Sequence, residues 1–450
     1  MRKLELWQVR VRGLVQGVGF RPTVWQLATR ADLRGEVLND AEGVLIRLSC
    51  ARSALNKFLE DLQREVPPLS RIDAIEVAEL NGGFRTDGFT INPSQPGNAQ
   101  TEIAPDAATC ADCLEDIRDP RNRRFGYAFT NCTNCGPRLS IIRAIPYDRA
   151  NTSMAAFGMC AACQREYDDP ADRRFHAQPN ACQKCGPRLV LLDPSGIPVP
   201  GDPIATAANA LRNGEIVAIK GLGGFQLACD AASQEAVEAL RSRKQRPTKP
   251  LALMGRDLRQ VAQYVHLSAA SKAQLESPRA PIVLAPVLHD APNLAPGIAP
   301  GQNRLGFMVP NSPLHHLLLD RMHGPLVMTS GNLSDEPPVT ENADAVSRLS
   351  TIAGLFLSHD RDIVTRVDDS VVQIVDEAPH ILRRARGYAP EPLKLHPGFA
   401  NANPVLATGA DMKNTFCLLK DGQAIVSQHI GDMANDRAHR DFRASLSLFS

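Results

Sequence analysis

The alternation of apolar and polar positions divides the chain into four blocks of different architecture. The first block predicts the element order β-α-β-β-α-β, with helical patterns over residues 22–33 and 54–64 and strand patterns over 4–12, 35–39, 44–48, 72–77 and 89–91. This order is typical of the split βαβ arrangement, in which helices cover one face of an antiparallel sheet. The block ends at a linker rich in proline, glycine and asparagine, residues 92–100.

The third and fourth blocks have a different pattern of short strands. Apolar runs alternate with helical stretches over residues 202–388, at 216–219, 251–254, 282–284 and 326–328, which predicts an α/β fold with a mixed sheet. Further linkers lie at 193–203 and 389–404. The fourth block predicts strands at 405–408, 416–419 and 424–427 with little else to pack against. We therefore expect the chain to be cut short within its last domain.

The second block is an internal repeat with an offset of fifty residues. Each half contains Cys-x-x-Cys, then Arg-Arg-Phe, then Cys-x-x-Cys-Gly-Pro-Arg-Leu. Eighteen residues separate the two pairs in each half, as in a zinc ribbon with four thiolates around one ion. The sequence therefore predicts two structural zinc ions held by Cys110, Cys113, Cys132 and Cys135, and by Cys160, Cys163, Cys182 and Cys185.

Other ligands and other cysteines change this picture little. His176 could compete as a ligand in the second half, but the first half has Gly126 at the same point, so four cysteines per site are preferred. Cys50, Cys229 and Cys417 lie in apolar strand patterns and are expected to pack in cores.

Composition excludes several classes of protein. The 450 residues predict about three domains, and 50 Lys and Arg against 49 Asp and Glu give a net charge of +1, so no global field draws the chain to nucleic acid. No apolar run reaches the roughly 18 residues of a membrane span. The N-terminus has no signal-peptide pattern, and we expect a cytoplasmic protein without disulfides.

A glycine-rich loop between the first strand and the first helix is the candidate chemistry of the first block. A lone Gly-x-Gly is most often a simple turn. Here a helix follows the loop and an arginine lies beside its positive end, so the loop suits one phosphate-sized anion. The predicted cradle is Gln16, Gly17, Val18, Gly19 and Phe20, together with Arg21.

Cations and small hydroxyl or amide groups cluster at the strand ends of the third block. Each group alone is weak evidence, because glycine runs are usually turns and basic clusters are usually solvated. Together they suit a nucleotide triphosphate. The sequence has no Gly-x-x-x-x-Gly-Lys-Ser/Thr loop, which disfavours an ordinary P-loop ATPase. The candidates are Lys220, Lys244, Arg246, Thr329, Ser330, Asn332, Ser370 and Arg386.

Two of the blocks resemble known families. Residues 4–94 resemble the acylphosphatases, and this resemblance implies that Arg21 binds the substrate phosphate and that Asn39 orients the attacking water. The third block resembles the YrdC-like domain, which makes an acyl-adenylate from ATP. That resemblance implies phosphate contacts for Lys244 and Arg246 and a nucleotide site lined by Ser330 and Asn332.

The order of the blocks resembles one family over nearly the whole chain, the HypF-type carbamoyltransferases of nickel–iron hydrogenase maturation. The resemblance implies a multidomain α+β and α/β enzyme with four parts. These are a ferredoxin-like acylphosphatase domain (4–94), two zinc ribbons (105–192), a YrdC-like α/β domain (202–390) and the start of an ATPase-like transfer domain (405–450).

The same resemblance implies the reaction sequence. Carbamoyl phosphate is first hydrolysed to carbamate. The carbamate is then adenylated by ATP, with Mg²⁺. The carbamoyl group finally passes to the C-terminal cysteine of a HypE-type protein. Gln226 replaces the family's usual histidine. Because the transfer domain is incomplete in this sequence, we expect hydrolysis and adenylation but not transfer.

Two alternatives remain open from the sequence. YrdC-like domains also make threonylcarbamoyl-adenylate for tRNA modification, and zinc ribbons often bind RNA, so an RNA-associated protein is the main alternative. Repeated Cys-x-x-Cys pairs also occur in the zinc region of the chaperone DnaJ. Near-zero net charge and the two phosphate-binding groups disfavour both alternatives.

Overall fold

The computed structural model of the protein describes residues 5–40, 42–80, 88–92, 103–144, 147–333, 336–399, 401–420 and 422–449. The predicted first strand residue, Leu4, the linker from residue 93 to 100 and the hairpin residue Asp421 lie outside these ranges.

The first segment has the predicted β-α-β-β-α-β order. Its sheet has the order β4-β1-β3-β2-β5, antiparallel except for the parallel pair β2–β5. Amphipathic helices cover one face, and Phe20, Val24 and Phe58 pack there against Val9, Val37 and Ile46 in one apolar core. The elements are β1 (Glu5–Leu14), α1 (Phe20–Arg30), β2 (Arg34–Asp40), β3 (Gly43–Cys50), α2 (Arg52–Arg64), β4 (Arg71–Glu79) and β5 (Phe89–Ile91).

The cysteine repeat contains little regular structure. Each half has one two-turn helix that begins directly after the first cysteine of the half, α3 (Ala111–Arg118) and α4 (Ala161–Asp168). Three short 3₁₀ turns follow the first half, at Leu139–Ile141, Arg149–Asn151 and Ser153–Ala156. Few backbone ladders therefore fix this region, and its conformation depends on side-chain links.

The third segment forms a mixed sheet of ten strands in the order β15-β14-β10-β11-β9-β12-β8-β7-β13-β6. Its edge strand β6 (Leu189–Leu192) comes from the end of the cysteine repeat and pairs with β13. The other strands are β7 (Val217–Lys220), β8 (Phe225–Asp230), β9 (Leu253–Met254), β10 (Ile282–Pro286), β11 (Arg304–Met308), β12 (Leu326–Ser330), β13 (Leu355–His359), β14 (Val371–Val375) and β15 (Ala378–Arg383).

Helices lie between these strands, as the α/β pattern predicts. They are α5 (Pro203–Arg212), α6 (Gln234–Lys244), α7 (Leu258–Val261), α8 (Ala269–Glu276), α9 (Pro313–Leu319) and α10 (Asn342–Leu349). Most of them begin at a side-chain cap; Asp202, for example, accepts hydrogen bonds from the N–H groups of Ile204 and Ala205. The mixed α+β and α/β architecture predicted from the sequence is thus confirmed.

The fourth segment packs more extensively than its strand pattern indicates. Its four-stranded sheet consists of β16 (Leu393–Lys394), β17 (Val405–Ala407), β18 (Cys417–Lys420) and β19 (Gln423–Val426), and a short 3₁₀ turn (Pro397–Phe399) lies between β16 and β17. The helix α11 (Asp436–Phe449), which the strand pattern did not indicate, covers Phe416 with Phe442 and Phe449. The prediction that this segment has little to pack against is therefore wrong, because the helix supplies the missing apolar face.

The segments share cores and ion pairs. Tyr127 and Phe129 of the cysteine repeat belong to the same buried cluster as Leu317 and Met328 beside the ten-stranded sheet. Glu391 bonds Arg71 of the first segment at 2.6 Å and Arg279 of the third at 3.0 Å. Within the described residues, none of the helices combines the length and the apolar character that a bilayer crossing requires.

Candidate functional site

The glycine loop and the first turn of α1 form a cradle at one end of the first sheet. Gly17 and Gly19 have φ of 69° and 82°, and α1 begins at Phe20. Val18 and Phe20 are buried and anchor the loop in the core. The Gln16 amide donates to the carbonyl oxygens of Asp40 and Gly43, both at 2.9 Å, which fixes the loop against the β2–β3 turn. Such a loop leaves helix N–H groups available to an anion.

Arg21 and Asn39 occupy positions that suit the roles implied by the acylphosphatase resemblance. Burial lowers the pKa of Arg21, while the charge of Asp148 acts in the opposite direction. Asn39 is the penultimate residue of β2, beside the turn that Gln16 fixes, and its buried Oδ1 has no hydrogen-bond partner among the residues that the structure describes. A buried amide oxygen without a partner is costly, and a water molecule held for attack would satisfy it.

The cysteine repeat covers the cradle. A β-carbon added at Gly19 would lie 3.0 Å from Thr133 Oγ1, and one at Gly17 would lie 3.3 Å from the ring of Tyr147. Thr133 lies between Cys132 and Cys135, so one Cys-x-x-Cys turn directly contacts the phosphate loop. Nothing in the local sequence of the loop indicated this contact.

The eight predicted cysteine ligands form two clusters. Within each cluster the four Sγ atoms all lie within 4.8 Å of one another. The Sγ–Sγ distances include 3.6 Å for Cys110–Cys132, 3.9 Å for Cys132–Cys135 and 3.6 Å for Cys163–Cys185. A tetrahedral site with Zn–S bonds of about 2.3 Å requires an edge of about 3.8 Å, so the clusters fit zinc and are too wide for disulfides.

His176 does not join the second cluster. Its ring stacks on that of Tyr167, with centroids 4.9 Å apart. Its φ is 53°, close to the 66° of Gly126 at the same point of the first half. Burial and the charge of Arg21 lower the pKa of His176, so this imidazole is in electrostatic reach of the cradle instead.

The second site is a cavity of about 460 Å³ at the strand ends of the ten-stranded sheet. Six of the eight predicted nucleotide-binding residues line it: Lys244, Arg246, Thr329, Ser330, Asn332 and Arg386. The other two do not. Lys220 points the other way, where its Nζ donates to Asn342 Oδ1 at 2.7 Å and to the carbonyl oxygen of His359 at 3.1 Å. Ser370 Oγ is satisfied by the backbone of Ala385 and Arg386 and fixes the chain there.

Lys244 is a cation of the cavity that three oxygen atoms hold in place. It ends α6, and its Nζ donates at 2.6 Å to the carbonyl oxygens of Ser330 and Asn332 and to Asn332 Oδ1. Burial and the charge of Arg246 lower the pKa of Lys244 to about 7, whereas the three oxygen acceptors favour its charged form. Arg246 contacts Thr329 Oγ1 at 3.4 Å, and burial lowers its pKa to about 10.

Gln226, Asp369 and Arg386 also line the cavity and are joined to one another by hydrogen bonds. Gln226, which replaces the histidine usual in the family that the sequence resembles, donates to Asp369 at 2.6 Å. Asp369 also accepts from Arg386 at 3.0 Å. Gln226 therefore holds a carboxylate that an imidazole could also hold.

Residues of the fourth segment complete the cavity, which the sequence did not predict. Lys413, His429 and Asp432 line it. His429 Nδ1 lies 2.6 Å from Asp368 Oδ2, and Arg366 donates to Asp441 at 2.6 Å, so both links join the segment to the sheet. In the sequence these three residues are marked only by their position in polar stretches that follow β17 and β19.

Family models match most of the chain. Residues 7–91 match the acylphosphatase model, residues 109–142 and 159–192 the HypF finger, residues 209–385 the Sua5, YciO and YrdC model described as telomere recombination, and residues 400–450 the HypF Kae1-like domain.

Individual relatives agree with these matches. The sequence is 54% identical to carbamoyltransferase HypF of Rhodobacter capsulatus over 96% of this chain and 57% of that protein. It is 36% identical to an acylphosphatase of Caldivirga maquilingensis over 19% of this chain and 90% of that protein.

A crystal structure of full-length HypF in its phosphate- and nucleotide-bound form superposes with a TM-score of 0.92 at 44% identity, over 99% of this chain and 58% of that one. The chain thus spans a little over half the length of the HypF proteins it matches.

We expect Gly19→Ala to weaken binding of inorganic phosphate by about tenfold or more. The left-handed φ costs a non-glycine residue about 1–2 kcal/mol, and the new β-carbon would press on Thr133, so the loop must shift its N–H groups. Titration calorimetry on the whole chain measures the affinity. Gly158→Ala is the matched control, because its β-carbon would have no neighbour within 4 Å. Unchanged affinity in a folded Gly19→Ala protein would contradict the cradle.

Proposed function

The chain belongs to the HypF family, and from this premise we propose that it hydrolyses carbamoyl phosphate in its first segment and adenylates the resulting carbamate in its third. The observation that carries the proposal is the presence, in one chain, of a phosphate cradle with Arg21 and a cationic cavity around Lys244. The cysteine repeat packs against the first segment, which contains the cradle, and against the third, which contains the cavity.

In the first reaction, water and carbamoyl phosphate give carbamate and phosphate. The loop N–H groups and the Arg21 guanidinium would compensate the charge of the phosphoryl oxygens, which is the main requirement of this chemistry. The unpartnered Asn39 Oδ1 would accept a hydrogen bond from the attacking water and so orient it. No strong base is needed, because the acyl phosphate is already activated.

In the second reaction, carbamate displaces pyrophosphate from ATP and forms carbamoyladenylate. Lys244 and Arg246 would bind the triphosphate, and Thr329, Ser330 and Asn332 would contribute hydroxyl and amide groups around it. ATP would enter with Mg²⁺, which neutralises part of the phosphate charge. Lys244 and Arg246 are partly desolvated, so a bound anion would stabilise their charged forms, which supports this placement of the phosphates.

In the whole family reaction the adenylate is the carbamoyl donor for the C-terminal cysteine thiol of a HypE-type acceptor, and AMP is the leaving group; for the segments described here the proposal ends at the adenylate. Lys413 and His429 of the fourth segment line the adenylation cavity, so this segment would lie beside the adenylate. We propose zinc as the metal of both cysteine clusters. We also propose a cytoplasmic location, where thiols stay reduced. The comparisons do not favour the RNA-associated alternative, since the HypF resemblance includes 96% of the chain.

The coupled mechanism predicts ATP–pyrophosphate exchange that depends on carbamoyl phosphate. Arg21→Ala should lower this exchange by about 100-fold or more when carbamoyl phosphate is the sole source of carbamate, since one electrostatic contact to the reacting group has this weight. Arg121→Ala, on a side chain that is 91% exposed, is the control. Exchange that ignores carbamoyl phosphate, or that survives Arg21→Ala undiminished, would overturn the coupling.

The two reactions should be separable by substitution. Lys244→Met removes a charge of the cavity and should abolish exchange, while phosphate release from carbamoyl phosphate continues at the wild-type rate because the cradle lies in another segment. Lys272→Met, on an exposed position of α8, should change neither rate. Loss of both activities in a Lys244→Met protein that unfolds at the wild-type temperature would contradict two independent sites.

The metal proposal predicts two zinc ions per chain by elemental analysis of protein prepared under reducing conditions. Cys132→Ser should remove at least one ion, because it deletes a ligand of the first cluster, and Cys229→Ser, at a buried core position, should keep both. A zinc content near zero in the wild-type protein would refute the proposal.

A further inference from the structure

The Arg-Arg-Phe motif of each half takes no part in the proposed reactions, yet its arginines reach the opposite cysteine cluster. Arg123, in the first half, places Nη1 and Nη2 at 3.4 and 3.3 Å from Sγ of Cys163 in the second half. Arg173, in the second half, places Nη1 at 3.1 Å from Sγ of Cys113 in the first. The two contacts are related by the internal repeat and run in opposite directions.

An acidic residue on each helix reinforces the crossing. Glu166 lies one helical turn after Cys163 and bonds both Arg123 and Arg124. Asp116 lies one turn after Cys113 and bonds both Arg173 and Arg174. Each arginine pair is therefore bound to the helix of the other half at two neighbouring points, a carboxylate and a thiolate.

The chemistry of a four-thiolate site explains why such contacts matter. Four thiolates around Zn²⁺ carry a net charge of −2, and Cys113 and Cys163 are both fully buried. A guanidinium stays charged at any physiological pH, and its N–H groups can donate to sulfur while they neutralise part of this charge. Outer-shell partners of this kind orient the ligands and commonly change metal affinity about 10- to 100-fold.

We propose that the two metal sites retain their ions through each other. Arg173 is a positioning residue for the site of Cys110, Cys113, Cys132 and Cys135, and Arg123 is one for the site of Cys160, Cys163, Cys182 and Cys185. Neither half is a self-sufficient zinc ribbon. This inference rests on zinc as the metal of the proposed function.

The two crossed contacts differ in the number of arginines that reach each cysteine. Arg124 also approaches Cys163, at 3.7 Å, and is held by Asn180 and the carbonyl oxygen of Ala181. Arg174 bonds Asp116 and the carbonyl oxygen of Asn131. Cys163 thus has two arginine donors and Cys113 has the single donor Arg173 among the described residues, so the first site depends more strongly on one arginine.

The test follows metal loss at each site separately. The zinc-loaded whole chain is mixed with a zinc chelator and N-ethylmaleimide, and peptide mass spectrometry gives the alkylation rate of every cysteine. Arg173→Gln should accelerate alkylation of Cys110, Cys113, Cys132 and Cys135 by about tenfold or more, while the other cluster keeps its rate. Arg123→Gln should accelerate the other cluster, by a smaller factor because Arg124 remains.

Controls separate this effect from unfolding. Arg121→Gln, in the same half as Arg123 but bonded to Asp119, should change no rate. Cys229 is buried outside the repeat and reports global opening. If Cys229 becomes reactive in Arg173→Gln, the same comparison is made in Arg173→Lys, which keeps the charge but loses the two-pronged donor and should give a smaller increase at the same cluster.

The outcomes distinguish this inference from the proposed function. Equal acceleration of both clusters, or acceleration of the cluster in the variant's own half, with Cys229 protected, overturns the crosswise arrangement even when two zinc ions are present. A wild-type chain that binds no zinc refutes the metal proposal instead. Acceleration confined to the opposite cluster supports both.

Discussion

Both proposed phosphate-binding sites pack against a repeat whose eight ligand cysteines form two clusters of four. The cysteine repeat contains only two short helices, α3 and α4, and 3₁₀ turns among its described residues before its last strand joins the large sheet. Backbone ladders therefore cannot fix it, and metal ligation at the two clusters would supply the constraint that a small core would not. One Cys-x-x-Cys turn touches the glycine loop at Gly19, and Tyr127 and Phe129 enter the core beside the ten-stranded sheet. A displaced cluster would disturb both contacts.

Charge in this protein is arranged locally. The net charge is only +1, yet Arg21, Lys244 and Arg246 are held where burial lowers the pKa of each. A buried cation is stabilised when an anion binds beside it, so a phosphate or ATP would lower the free energy of these sites on binding. The crossed arginines of the repeat follow the same principle, with thiolates as the anions.

Several site residues could be found in the sequence because their signals are local. The cysteine spacing identified both clusters, since four ligands of one ion must come from two tight turns. The loop from Gln16 to Arg21 was recognisable because strand, glycines and helix start follow in order. Lys220 and Ser370 show the limit of such reasoning. Both are polar groups at strand ends. The Lys220 ammonium, however, donates to Asn342 and to the carbonyl oxygen of His359, and the Ser370 hydroxyl is satisfied by backbone hydrogen bonds.

The sequence by itself determined the segments, the metal ligands and the family resemblance, because periodicity and spacing are properties of short stretches of chain. Only the tertiary structure decided what lies across from them: Thr133 over Gly19, His429 beside Asp368, and Arg173 against Cys113. These pairs are separated by 60 residues or more, and no local pattern specifies which buried groups meet. They meet because the packing of separate segments brings these groups together, and the buried charges among them gain partners that compensate their desolvation.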